Sequence, residues 1–224
     1  MKKIIKKLGL LLMSVILLFI TVTLLFYHLP LKRPEIKPDT GDVLIANIHV
    51  VDVEHERIRL NQNVVISAGK IEKISASSEP GDYSRHRLID GRGKYLMPGL
   101  WDMHTHSLKI SPYIHHPLFI RYGVTSVRDM SGCLDQNDTY WACPEDRKKW
   151  TQLSEAGEAV SPTYHHQSSY QTNGGNEVPD GFAEYFRLNT RSDAAQLVGF
   201  YVGQGVDFIK TYTELSADQF KWLA

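Results

Sequence analysis

Two histidines, His104 and His106, are the residues of this sequence best placed for chemistry. They end the stretch MPGLWDMHTH at residues 97–106, which predicts a β-strand that begins after Pro98. Side chains alternate across a strand, so both imidazoles should project from the same face. Two neutral imidazoles there could bind one divalent cation, at about 2.0–2.1 Å for zinc. Two surface histidines near a turn are the alternative, because the His-x-His pattern also arises by chance.

Asp102 could orient one of these imidazoles. It stands two residues before His104 and shares that face of the predicted strand. A carboxylate that accepts the N–H of a ligating imidazole fixes the orientation of the ring. We therefore predict Asp102 as an outer partner of the metal site.

The segments that must position these residues alternate between strand-like and helix-like patterns after Pro98. Four repeats of strand and helix indicate a parallel α/β sheet or barrel, and they are half of the eight repeats of a closed barrel. The predicted strands are GLWDMHTH, GVTSVRDM, residues 160–167 and VDFIKTY. The predicted helices are HPLFIRYG, PEDRKKWTQLSEAGEA, SDAAQLVGFYVGQG with Ser192 as N-cap, and LSADQFKWLA.

A small all-β unit is predicted before them, at residues 42–97. Its runs are rich in Val and Ile and are interrupted by Gly, Asn and Asp, which is typical of short strands joined by turns. Ala68, Gly69 and Lys70 predict a hairpin turn between NVVIS and KIEKIS.

The first 29 residues predict a membrane anchor or a signal segment. Residues 8–29 contain no Asp, Glu, Lys or Arg, and about 20 apolar residues are enough to cross a bilayer core of about 30 Å. The positive-inside rule would keep the preceding lysines in the cytoplasm and the body outside it, periplasmic or extracellular. These are Lys2, Lys3, Lys6 and Lys7. A cleaved signal peptide and a buried core helix are the alternatives, and residues 30–41 read as a linker.

Charge and cysteine content narrow the classes of partner. Lys and Arg balance Asp and Glu at 25 each, without the basic clusters of a nucleic-acid surface. Cys133 and Cys143 could form a disulfide if the body is exported, and closing that loop would stabilise the fold by roughly 2–3 kcal/mol. Two reduced thiols are the alternative, and no second pair or nearby histidine completes a metal site with them.

The stretch IDGRGKYLMPGLWDMHTH, following a small β unit, resembles the start of the catalytic barrel in the amidohydrolase superfamily. Residues 123–132 and 205–216 resemble the second and fourth strands of its imidazolonepropionase-like and Xaa-Pro-dipeptidase-like branch. The resemblance extends over residues 43–224. The matching residues of the first stretch are Ile89, Asp90, Gly93, Pro98, Gly99, Asp102, His104 and His106.

This resemblance implies a β-sandwich followed by a TIM-like (β/α)8 barrel, of which residues 98–224 would form the first half. It also implies a hydrolase that uses metal-activated water, with one or two zinc-type divalent ions. The substrate would be a small-molecule amide, cyclic amide or dipeptide. Lys210, at the end of the fourth strand, would be carboxylated and would bridge two metals. The alternative is a lysine whose ammonium pairs with a carboxylate or with substrate.

Several features depart from the family pattern. His165 and His166 are adjacent, so at most one can face the site, and the Gly pair at 174–175 is not followed by a histidine. Arg128 and Asp129 predict an internal ion pair at the rim of the barrel. The later His, His and Asp of the family do not occur in this chain, so we expect an incomplete site that is inactive alone. The alternative is a non-catalytic, membrane-tethered truncated product or a binding protein of the same fold.

Overall fold

The computed structural model describes residues 2–28, 41–135, 137–174, 178 and 180–224. Helix α1 spans Lys2–His28 and belongs to a compact unit separate from the rest of the chain. Residues Lys6–Leu25 are long and apolar enough to cross a membrane, with a mean hydropathy of 2.8. A signal sequence meets the same criteria of length and composition. The predicted linker at 30–41 lies outside the described residues except for Gly41.

A five-stranded sheet follows at the start of the second unit. Its strands lie in the order β3-β2-β1-β4, and β5 also pairs with β1. The β1–β2 and β2–β3 pairs are antiparallel, whereas β4 and β5 run parallel to β1. The strands are β1 Val43–Asp52, β2 Arg57–Ser67, β3 Lys70–Ala76, β4 Arg87–Asp90 and β5 Tyr95–Leu96.

The turn between β2 and β3 is the predicted hairpin. Ser67 pairs with Lys70 across a two-residue loop, and the loop residues Ala68 and Gly69 have φ of 49° and 73°. Positive φ at both central positions matches the twist of antiparallel strands, which explains the glycine. Ile48 of β1 and Val64 of β2 are buried and form one hydrophobic cluster with Val50.

The second sheet carries the candidate site and gives the chain a mixed α/β fold. Its three strands are parallel in the order β6-β7-β8. Helices α2 and α3 connect them, and α4 and α5 follow a short 3-10 helix. The elements are β6 Leu100–Thr105, α2 Ser111–Arg121, β7 Val124–Asp129, α3 Pro144–Glu155, β8 Thr163–Gln167, the 3-10 helix Glu184–Arg187, α4 Arg191–Gly203 and α5 Ala217–Leu223.

The prediction that VDFIKTY forms a regular fourth strand is wrong. Within the described residues it contributes isolated parallel bridges, Ser168 to Phe208 and Thr172 to Thr211. The ladder is interrupted because the backbone N–H of Lys210 donates to the Ser169 hydroxyl at 2.9 Å and not to a backbone carbonyl. The segment still lies beside the chain that leaves β8, so the order of the elements is that of the predicted parallel sheet.

The beginnings of two helices also differ from the sequence-based prediction. Helix α4 is capped by Thr190 and not by Ser192, because Thr190 and Asp193 form a reciprocal capping box, with N···O distances of 3.2 and 2.8 Å. Helix α2 begins at Ser111, ahead of the predicted HPLFIRYG segment, and has a proline in its first turn. Proline is favoured there because it has no N–H to leave unpaired.

One side of the second sheet forms a core with the connecting helices. Val127 and Tyr164, from β7 and β8, pack with Ala142 and with Trp150 of α3. On β6, Trp101 and Met103 are both about half exposed. Strand β6, which contains His104 and directly precedes His106, is therefore fixed mainly by its ladder to β7 and by the loops at its end.

Candidate metal centre

The two predicted histidines converge at the end of β6. Their Nε2 atoms are 3.2 Å apart, and their rings stack with centroids separated by 5.2 Å. Two nitrogens that each lie about 2.0–2.1 Å from one zinc ion can be this close. The spacing of His104 and His106 therefore fits joint coordination of a single cation.

Asp102 acts on the backbone and not on an imidazole. Its Oδ1 accepts the backbone N–H of His104 at 3.0 Å. The predicted contact to an imidazole N–H is replaced by this local bond, because a carboxylate two residues before an N–H can reach it without crossing the strand. Asp102 thus stabilises the conformation of the strand where His104 leaves it.

Lys210 joins the histidines from the segment beside β8. Its side chain is buried, at 8% exposure, and Nζ lies 3.3 Å from His106 Nε2. The ammonium donates to the carbonyl of Met130 at 2.9 Å. Residues far apart in the sequence therefore place two nitrogen atoms, those of His104 and Lys210, next to His106 Nε2.

Desolvation shifts both partners of this contact toward their neutral forms, although Lys210 is buried and His106 is exposed. Desolvation lowers the pKa of Lys210, against the opposing effect of the Asp129 charge. Desolvation, followed by the charges of Lys210 and His104, lowers the pKa of His106. Neutral imidazole is the form that ligates a metal, and neutral amine is the form that can become a carbamate.

The set of donor atoms is nevertheless small. In the part of the chain that the structure describes, no group of three or more His, Cys, Asp or Glu side chains could hold a metal ion. The donors that fit an ion are two imidazoles and, after carboxylation, Lys210. A catalytic zinc site commonly has three protein ligands and a water, so these residues reach that number only through Lys210.

A buried ion pair between β7 and α3 lies next to the candidate site. Asp129, at the end of β7, pairs with Arg147 of α3 at 2.5 Å, and both side chains are 0% exposed. The predicted pairing of Arg128 with Asp129 is therefore not the one observed. Asp129 pairs with Arg147, and Arg128 donates from Nε to the carbonyl of Met103 at 2.8 Å. The role of Arg147 was missed because nothing in the pattern of α3 indicates a buried arginine.

This ion pair connects the loops on either side of the nitrogen cluster. Asp129 Oδ1 accepts backbone N–H groups of Ser131 at 3.0 Å and Ser107 at 3.3 Å. Arg147 donates to the carbonyls of Ser131 and Ala142. Ser107 directly follows His106, and Ser131 directly follows Met130, the acceptor of the Lys210 ammonium. The pair thus positions the backbone next to two of the three nitrogen donors.

A second buried network extends from Ser107 into the core. The Ser107 hydroxyl lies 2.9 Å from the Tyr164 hydroxyl, which lies 2.8 Å from His116 Nε2. Burial raises the pKa of Tyr164 well above its ordinary value, so the phenol stays protonated and can donate one of these bonds. His116 was not recognised from the sequence, because the adjacent histidines His115 and His116 in a helix do not have a spacing typical of a shared site.

The loop from β7 to α3 is cross-linked beside the site. Cys133 and Cys143 form a disulfide with a Cα–Cα distance of 5.0 Å, within the range such bonds require. Two backbone bonds tie the loop to the segment after His106: Ala142 N–H donates to Ser107 and Lys109 N–H donates to Tyr140, each at 3.0 Å. This arrangement brings the Trp141 ring to 6.0 Å from the His106 ring.

The adjacent histidines of β8 lie away from this cluster. His165 stacks on Trp101 at a centroid distance of 4.3 Å, and both His165 and His166 are exposed. Neither lines the small cavity beside the candidate site. That cavity is lined by His106, Met130, Ser131, Gly132, Trp141, Tyr170, Gln171 and Lys210.

Comparison with known proteins gives partial matches to enzymes. No protein-family model matches the chain. An adenine deaminase of Halalkalibacterium halodurans is 34% identical over 91 residues, which are 40% of this chain and 15% of that protein. Adenine deaminase 2 of Shouchella clausii is 30% identical over 88 residues, or 38% of this chain and 15% of that protein. The matches thus span about a seventh of these relatives.

Solved structures with the same fold match more of the chain. A putative prolidase from Bifidobacterium longum has a TM-score of 0.58 at 22% identity, covering 80% of this chain and 42% of that one. Molinate hydrolase has a TM-score of 0.58 at 17% identity, covering 84% of this chain and 51% of that one. At these identities the likeness concerns the fold. Together with the adenine deaminase matches and the paired histidines at the end of β6, it shows that the matched part of the chain resembles enzymes of the amidohydrolase superfamily.

Proposed function

We propose that this chain belongs to a metal-dependent hydrolase that cleaves C–N bonds in a small amide, cyclic amide or dipeptide. The observation that carries the proposal is the convergence of His104, His106 and Lys210, with successive nitrogen separations of 3.2 and 3.3 Å. The matched proteins support the reaction class, because they include adenine deaminases and a structural neighbour described as a putative prolidase.

Each residue has a distinct part in this proposal. His104 and His106 would hold one zinc-type divalent ion, and Lys210, once carboxylated, would supply a further ligand. When bound, such an ion supplies a Lewis acid for the substrate carbonyl and a water acidic enough to lose its proton near pH 7. Asp102 fixes the backbone of His104, and the Asp129–Arg147 pair fixes the backbone next to His106 and Lys210.

A non-catalytic binding protein of the same fold is the second candidate. It is favoured by the donor count, since no third His, Cys, Asp or Glu of the described residues joins the histidine pair. Such a protein would hold an ion or a ligand at the same position without activating water.

Metal analysis combined with a substrate panel separates the two candidates. The panel contains Xaa-Pro dipeptides, cyclic amides and adenine, and metal is measured by elemental analysis. We expect the 224-residue chain alone to bind metal without turnover, because its described donors can hold an ion but fall short of a full catalytic set. We expect a product that joins this chain to the further His and Asp ligands of a complete site to hydrolyse part of the panel and to lose that activity on chelation. Bound metal without any turnover in that product would instead support the binding protein.

We also propose that α1 anchors the protein in a membrane and that the body lies outside the cytoplasm. The length and hydropathy of residues Lys6–Leu25 support the anchor, and the Cys133–Cys143 disulfide supports an oxidising compartment. A reporter fused after Thr40 should therefore be located, and active, outside the cytoplasm. Activity confined to the cytoplasm would reject this orientation.

A further inference from the structure

Two aromatic residues of the cross-linked loop have no place in the hydrophobic core. Tyr140 is 59% exposed, and Trp141 is half-buried. Neither belongs to the buried clusters of the described residues or to the side chains packed on them. Their rings meet edge to face with centroids 5.0 Å apart. Large apolar side chains left outside the core indicate a contact surface when they lie next to a chemical site.

The position of Trp141 links this surface to the nitrogen cluster. Its ring stands edge-on to that of His106, with the centroids 6.0 Å apart. It also lines the cavity that His106 and Lys210 share with Tyr170. A molecule held at His106 would therefore have the Trp141 ring beside it, and the more exposed Tyr140 ring lies next to that of Trp141.

The loop holds these rings in place before any ligand binds. The Cys133–Cys143 disulfide closes it, and both Tyr140 and Trp141 donate backbone N–H groups to Asp138 Oδ1 at 2.8 Å. Ala142 and Tyr140 are further bonded to the segment that follows His106. A surface ordered in this way loses little conformational entropy on binding, which favours its use for recognition.

The chemistry of the lining indicates what it would bind. Among the described residues, the side chains that line the cavity include no carboxylate, and Trp141 and Tyr170 line it together with Lys210. We propose that Trp141 and Tyr140 form a subsite for an apolar, preferably aromatic, substituent next to the scissile C–N bond. This inference rests on the proposed function, because it places the reacting group at His104 and His106.

Hydroxamates that differ only in their apolar group test the subsite. The zinc-loaded full chain in detergent is titrated by calorimetry with acetohydroxamate and with phenylacetohydroxamate, both of which chelate zinc. We expect the phenyl compound to bind about 10-fold more tightly, the gain typical of one aromatic contact with its buried area. Trp141→Ala should abolish this preference and leave acetohydroxamate affinity unchanged. Tyr140→Ala should reduce it, and since Tyr140 is largely exposed this second variant should keep the fold.

Trp101→Ala is the matched control, because Trp101 stacks on His165 and does not line the cavity. Equal affinities of the wild-type chain for the two hydroxamates would overturn the subsite and leave the metal site standing. A preference that survives both loop variants would also overturn it. If neither hydroxamate binds the zinc-loaded chain, the proposed function itself fails, and the subsite fails with it.

Discussion

Replacing Arg147 with alanine is expected to lower the free energy of unfolding by about 3–5 kcal/mol, the usual cost of removing one partner from a buried ion pair. The Asp129 carboxylate would remain fully buried without its countercharge. The carbonyls of Ser131 and Ala142 would also lose their guanidinium donor. The effect should be large because a carboxylate cannot recover its hydration in the interior.

Chemical denaturation followed by tryptophan fluorescence measures this loss, since Trp150 lies on the same helix and is buried. Arg92→Ala is the control, because Arg92 pairs with Asp90 on the surface and both side chains are more than half exposed. Its unfolding midpoint should match that of the wild-type chain. An Arg147→Ala midpoint equally close to wild type would show that the buried pair contributes nothing to stability.

Replacing His106 with alanine is expected to weaken zinc binding by more than about 100-fold, since even partners outside the ligand shell are worth 10–100-fold. His106 Nε2 is the atom that both His104 and Lys210 approach. Without His106, the cluster retains only the His104 imidazole and the Lys210 amine. Zinc affinity is measured by competition with a chromogenic chelator, and retained metal is measured by elemental analysis after dialysis.

His165→Ala and His166→Ala are the matched controls for this experiment. Both remove an exposed imidazole of β8 that lies outside the cavity at His106, so both variants should keep the wild-type affinity. If His106→Ala binds zinc as tightly as the wild-type chain, the metal lies elsewhere. If His165→Ala or His166→Ala causes the larger loss, the site must include β8.

Local patterns predicted the parts of the fold that depend on neighbouring residues. Strand alternation placed His104 and His106 on one side of the chain, and Gly69 marked a turn that needs positive φ. The same reasoning failed where side chains replace backbone partners. The Ser169 hydroxyl interrupts the ladder at Lys210, and Asp102 bonds to the backbone of its own strand. Hydrophobic periodicity contains no information about either bond.

Contacts between distant residues could not be derived from spacing at all. Lys210 was singled out by family resemblance, and its approach to His106 depends on how the segment after α4 returns to the sheet. Arg147 stands in the charged run EDRKK, where solvent exposure is the ordinary expectation. Its burial becomes understandable only when α3 packs on the sheet and finds Asp129 at the end of β7.

The topology of the first sheet also has a consequence for the order in which it assembles. A two-residue turn joins β2 to β3, whereas the parallel ladder of β1 pairs Val43 with Arg87. Closing the longer loop costs more chain entropy, so the β1–β4 contacts should form later than those of the β2–β3 hairpin. The hairpin is therefore the natural nucleus, and its amide protons should gain protection from exchange before those of β4. Strand β1, which lies between β2 and β4, therefore pairs with β4 last.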